Sequence, residues 1–169
     1  MARVHYVEKA QKDNPAVKAG QPYYWWQFRF GPKRYSATAP RPSQLTQSRW
    51  GDVLAAEEAF LDAIAAAGSH DDLEAAVDEA ASSMEDIAGE FESSADSMPE
   101  SLQDSETAER IRERASALQD AASEFASFDW TDPEDAREEC DTDETPEEAA
   151  FRIDQARVES ELAFPDDPY

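Results

Sequence analysis

Three side chains in this 169-residue sequence are of the types most used for metal ligation or nucleophilic chemistry near neutral pH: His5, His70 and Cys140. They lie far apart in sequence, and no zinc-ligand spacing exists among them. His70 stands beside Asp71 and Asp72 at what reads as a helix start, which suits a surface cap. Cys140 sits in an acidic stretch and reads as an incidental thiol. As the single cysteine it cannot close an intramolecular disulfide, which points to a reducing compartment. Carboxylates are the other candidates. With 39 Asp and Glu, some pair must lie near another, so paired acids carry no information about acid–base chemistry. Asp141-Thr142-Asp143-Glu144 has the ligand types of part of a calcium loop but lacks the glycine at loop position six. Gly-rich phosphate loops, Gly-x-Ser-x-Gly elbows and His-Glu-x-x-His motifs do not occur. The residues therefore point to no catalytic centre, no metal and no cofactor, and the expectation is a protein that is not an enzyme.

Binding chemistry is better represented. The net charge is −24, but it is divided. Residues 1–50 hold nine Lys or Arg against two acids, and residues 51–169 hold six Arg against 37 acids. The front also carries most of the large aromatics: Tyr6, Tyr23, Tyr24, Trp25, Trp26, Phe28, Phe30, Tyr35 and Trp50. Aromatics interleaved with Arg29, Lys33 and Arg34 suit stacking of bases and neutralising of phosphates, with Trp25, Arg29, Lys33 and Arg34 as the contact candidates. The plainer alternative is that these aromatics simply make a core. At the acidic end, carboxylates off the apolar stripes would give rods of negative charge. A helix with an acid every two or three residues comes within a factor of about three of the linear charge density of B-DNA. Such a rod suits a basic, nucleic-acid-binding partner protein, with Glu74, Asp78, Glu85, Glu92, Glu106, Glu109, Glu113 and Asp120 as contact candidates. The plainer alternative is a solvated face that keeps a coiled coil soluble. Halophilic adaptation would spread acids over the whole chain, and the basic front argues against it.

Elements to hold these residues can be read from periodicity. Over residues 71–125, apolar residues recur at Leu73, Val77, Ala80, Met84, Ile87 and Phe91, then at Ala108, Ile111, Ala115, Leu118, Ala122 and Phe125. Both runs are heptad seams, and Pro99 breaks the chain between them. This predicts an antiparallel, coiled-coil-like helical hairpin. In front of it, residues 3–8 and 22–30 predict strands, Gly31-Pro32-Lys33 a turn, and residues 34–38 the return strand of a hairpin or three-stranded sheet. Alternation puts Tyr24, Trp26, Phe28 and Phe30 on one face. A helix from about Ser43 or Thr46, with Trp50, Val53, Leu54, Phe60, Leu61 and Ile64 on its apolar side, covers the sheet. Residues 129–144 read as a solvated acidic linker with one helical turn after Thr131 or Asp132. Thr145-Pro146-Glu147-Glu148 is a capping box that opens a last helix of loose or two-sided packing.

The expected fold is α+β and mainly α. Residues 1–68 form a basic aromatic head, 69–128 the acidic hairpin, 129–144 a linker, and 145–169 a helix and tail. No run is long and apolar enough to cross a membrane, and no signal-peptide core opens the chain, so the expected location is the cytoplasm.

The strand pair from Tyr23 to Phe30, its turn, Lys33-Arg34-Tyr35-Ser36 and the following helix resemble, over about 45 residues, the arm-binding N-terminal domains of phage tyrosine recombinases. The resemblance implies a three-stranded sheet, backed by a helix, that lays strands on DNA. No recombinase catalytic domain follows, and its Arg, His and Tyr set is absent. The opening is also similar to uncharacterised small proteins of phages and mobile elements. Three functional expectations follow. The first is a phage-type inhibitor or anti-defence factor whose acidic arm imitates DNA toward a basic host protein. The second is a nucleic-acid-binding accessory protein that uses the front hairpin. The third is an oligomeric particle component, at simplest a homodimer, with seams pairing between chains.

Overall fold

A computed structural model describes residues 2–140 and 144–167. The fold is α+β and mainly α, and the chain divides into two units, Met1–Ala55 and Ala56–Tyr169.

The first unit is built on a three-stranded antiparallel sheet, β1 (Val4–Val7), β2 (Tyr23–Gln27) and β3 (Lys33–Ser36), in the order β1-β2-β3. Its register pairs Val4 with Trp26 and His5 with Trp25, then Trp25 with Tyr35 and Trp26 with Arg34. Trp26 and Phe28 are buried with Trp50, Val53 and Ala10, and the Trp26 indole N–H donates to the Gln44 carbonyl at 3.2 Å. The expected alternation fails at Phe30, which is 93% exposed. β2 ends at Gln27, whose side chain donates to the Gly31 carbonyl at 2.9 Å, so the period-two rule no longer governs Phe30. Gly20 closes the loop into β2 with φ +93°, a conformation natural to glycine.

The helix that follows the sheet starts later than its apolar pattern predicts. Pro42–Leu45 forms a 3-10 turn, Thr46 is extended, and α1 runs from Trp50 to Ala66. The Pro40-Arg41-Pro42 segment favours extended backbone, and the Arg41 N–H is held by the Gln44 side chain at 3.2 Å. Leu61, expected on the apolar side of α1, is 54% exposed.

In the second unit, α2 (His70–Asp96) and α3 (Glu106–Ala126) pack as the expected hairpin. Ser69 caps α2 by accepting from the Asp72 N–H, and Ser105 caps α3 by accepting from the Ala108 N–H, both at 3.3 Å. Ser97 ends α2 two residues before Pro99. Ten of the twelve seam residues are buried, with Ile87 and Ile111 partly so. Ala76, Ala81, Ala88 and Ala95 are buried too, which widens the stripe of α2 beyond a two-helix seam. The extra cover comes from the rest of this unit: the Phe60, Phe125 and Phe164 rings meet with centroids 5.1–5.8 Å apart, and α5 (Pro146–Glu161) packs on α2. The hairpin is therefore one wall of a bundle and not a lone arm.

The stretch read as a solvated linker contributes to that bundle. Asp132 caps the short helix α4 (Pro133–Ala136), as its sequence predicts, but Ala136 is buried against Ala149 and Ala150 of α5. Both halves of the Thr145/Glu148 capping box are present, at 3.2 and 2.8 Å. Among the described residues no helix is long and apolar enough to cross a membrane.

Candidate functional site

All eight carboxylates proposed for partner contact are exposed. The 3.6-residue period places Glu74, Asp78, Glu85 and Glu92 on one side of α2, since the separations of 4, 11 and 18 residues are close to whole turns. On α3 it places Glu106, Glu109, Glu113 and Asp120 opposite the buried stripe. Among the described residues, the carboxylates of Glu74, Asp78, Glu85, Glu109, Glu113 and Asp120 make no hydrogen bond or ion pair. Glu92 accepts from the Gln119 side chain at 3.0 Å, and Glu106 pairs with Arg110. The two helices are unequal. α2 carries ten acids and no Lys or Arg, whereas α3 carries five acids and three arginines. Arg110 pairs with Glu106, Arg112 donates to the Gln103 carbonyl at 2.9 Å, and Arg114 holds Asp167 at 2.6 Å. Together the two helices bear twelve net negative charges over the 27 residues of α2, a length of ~40 Å at ~1.5 Å per residue. That is one charge per ~3.4 Å, about half the linear density of B-DNA.

The four nucleic-acid candidates do not form one cluster. Trp25 and Lys33 share the outer face of the sheet, and the Lys33 ammonium lies 4.4 Å from the centroid of the Trp25 ring. The other face of that indole stacks on His5, with centroids 4.2 Å apart and planes 9° from parallel. Arg34 pairs in register with the buried Trp26, on the opposite face, and its guanidinium lies over Phe28 at 5.3 Å. Arg29 lies past the end of β2 and over the exposed Phe30 ring at 5.2 Å.

The most built polar cluster was not singled out by sequence pattern. Asp154, on α5, is fully buried. Its carboxylate accepts from the Thr131 hydroxyl at 2.6 Å, from the Thr131 N–H at 3.0 Å and from His70 Nε2 at 3.0 Å, with Arg157 at 3.5 Å. Trp130 packs edge-on against His70 and Phe128, and the Arg157 guanidinium covers Phe128 at 4.9 Å. Glu161 holds that guanidinium above its usual range by a hydrogen bond. Imidazole and hydroxyl both converge on the carboxylate, so the hydroxyl proton points at Asp154 and not at the imidazole. A nucleophile–base–acid relay needs the hydroxyl on the imidazole, and this order does not supply it. The cluster is a tie between the start of α2, the segment before α4, and α5. Signals for it lay in the apolar stripe Ala150, Asp154, Val158, where an acid occupies a core position.

His70, Asp71 and Glu74 offer ligand atoms within 4.8 Å of one another, but the two carboxylates are exposed and one imidazole nitrogen is taken by Asp154. The Ser69 hydroxyl and the Gly68 N–H donate to Asp72 and hold its carboxyl below the usual range. Cys140 is half-buried against Ala136, Ala149 and Ala150, with its thiol toward the Ala136 carbonyl at 3.5 Å. Of the calcium-loop fragment, Asp141, Thr142 and Asp143 lie outside the described residues, and Glu144 grips Arg152 through two bonds of 3.1 Å. Compared with family models, with curated proteins and with solved structures, the chain matches none.

Proposed function

We propose that the protein is a non-enzymatic, cytoplasmic binding protein whose acidic helical hairpin engages a basic, nucleic-acid-binding protein as an imitation of DNA. What supports this reading is the set of six exposed carboxylates on α2 and α3 that have no partner among the described residues, carried on helices whose buried sides are rich in alanine. A charge spacing within a factor of about two of duplex DNA gives a DNA-binding cleft a comparable field to close on. Attraction between exposed charges acts over the Debye length, ~10 Å at 0.1 M salt and ~3 Å at 1 M, so the complex forms through steering and weakens sharply with salt. Inhibition of the partner follows if the hairpin occupies the channel that nucleic acid would use.

The test is capture from cell lysate on the immobilised protein, with release by salt and by duplex DNA. A variant carrying Glu74→Lys, Asp78→Lys, Glu85→Lys and Glu92→Lys serves as comparison. The expected result is a basic protein retained by the native chain, displaced by DNA and lost from the variant. Equal capture by a correctly folded variant would overturn the reading.

A further inference from the structure

The outer face of the sheet presents a groove of about 410 Å³, lined by Val7, Lys9, Lys12, Tyr23 and Tyr35 among others. Tyr23 and Tyr35 form its floor, with ring centroids 6.0 Å apart and planes tilted by 41°. Both residues are half-buried and line the groove. Lys9 and Lys12 stand exposed at its rim on the loop between β1 and β2. That loop is fixed from within. The Asn14 side chain accepts from the N–H groups of Ala16 and Val17 at 2.9 and 3.0 Å, and Asp13 accepts from the Ala19 N–H at 2.7 Å. Ala10 exchanges backbone bonds with Gly20 and Gln21 at 2.8 and 2.9 Å. The one acid among the lining residues named for the groove, Asp13, accepts from the loop's own backbone, while Lys9 and Lys12 stand exposed on the same loop. Trp25 and Lys33 continue the same face beside the groove.

Two half-buried rings lining one groove, three ammonium groups and a fixed loop make a surface for a polyanion that also carries planar groups. We propose that this face binds single-stranded nucleic acid, with phosphates on Lys9, Lys12 and Lys33 and bases against Tyr23, Tyr35 and Trp25. Lysines act here as point charges for phosphate, and base–aromatic stacking is tolerant of sequence. Lys33 now covers the open side of Trp25; its move to a phosphate frees the indole for a base. Duplex DNA keeps its bases stacked on one another and gains only the phosphate contacts, so the single strand is preferred. The first unit holds nine Lys or Arg against three acids, so its own charge favours a polyanion. This inference is independent of the hairpin reading.

The experiment is fluorescence anisotropy of labelled 20-mers of dT and rU with the full chain at about 0.1 M salt. The expected results are saturable binding, affinity at least tenfold above that for a duplex of equal length, and about tenfold loss on Lys12→Glu. Lys18→Glu, off the groove, should cost less than threefold. Tyr35→Leu, checked for native circular dichroism, should weaken oligonucleotide binding about tenfold. The hairpin variant with four lysines, used to test the partner reading, should bind oligonucleotide at least as well as the native chain, which keeps failure of one idea distinct from failure of the other. Equal losses for Lys12→Glu and Lys18→Glu would place binding elsewhere and overturn the proposal. So would equal affinity for duplex, or polyglutamate binding as tight as oligonucleotide, since either removes the bases from recognition.

Discussion

Replacing Asp154 by alanine should be among the most destabilising single changes in the second unit. The substitution removes a fully buried carboxylate and leaves the Thr131 N–H, the Thr131 hydroxyl and the His70 ring nitrogen facing a void. A hydrogen bond to a charged group contributes about 1.5–3 kcal/mol, and the shortest here spans 2.6 Å. Breaking a buried ionic cluster by removing one member costs about 3–5 kcal/mol, less than the sum of its bonds because the contributions overlap. We therefore expect Asp154→Ala to lose about 3–5 kcal/mol, which for a chain of this size lowers Tm by roughly 6–20 °C. Asp154→Asn should cost less, about 1–2 kcal/mol. Its amide oxygen still accepts from Thr131, and the imidazole can change tautomer to accept from the amide N–H. Urea denaturation followed by circular dichroism at 222 nm measures both, and a double-mutant cycle with Thr131→Val isolates the hydroxyl bond. A loss below about 1 kcal/mol for Asp154→Ala would refute the view that this cluster ties the bundle together.

Glu57→Gln should stabilise the protein at neutral pH. Burial, then the nearby Asp166 and Glu58, hold the Glu57 carboxyl above its usual range, so the folded state binds this proton more tightly than the unfolded chain. Stability from this group falls as pH rises through the window just above its ordinary value of 4.5, and the advantage of glutamine should shrink to nothing below it, as thermal melts from pH 3.5 to 7.5 would record. Phe30→Ser should change stability by no more than about 0.5 kcal/mol, a Tm shift under about 2 °C in a thermal melt, because the ring is 93% exposed. A Cβ on Gly51 would lie 2.9 Å from the Thr46 methyl. Gly51→Ala should therefore destabilise the native chain, yet stabilise a Thr46→Ser background by about 0.5–1 kcal/mol, the helical gain of alanine over glycine; parallel urea titrations of the four proteins decide it.

Much of this fold was legible because its elements follow one period each. The heptad runs around Leu73 to Phe91 and Ala108 to Phe125 and the Thr145/Glu148 box sit where their patterns place them, and the three strands form in the expected segments though β2 and β3 stop early. The misses share a cause, which is that a period says nothing about where it stops. Phe30 continues the alternation of β2 on paper but follows the strand's last paired residue. Leu61 keeps helical phase but meets solvent. Asp154 was illegible for another reason. In a chain with 39 acids, one more carboxylate has no contrast, and only its place between Ala150 and Val158 marks it. The exposed hairpin acids could be read as exposed, whereas the separation of Trp25 and Lys33 from Arg34 required the strand register.

The contact between His70 and Asp154 joins residues 84 apart in the chain. On a ribosome adding ~5–20 residues per second, the histidine waits on the order of ten seconds before its carboxylate is synthesised. Until then the nascent hairpin lacks the pin at its leading end, and its alanine-lined back stays open to solvent. The second unit thus reaches its final form only when the closing helix leaves the exit tunnel. Chains cut short within that helix would be targets for chaperones and proteases.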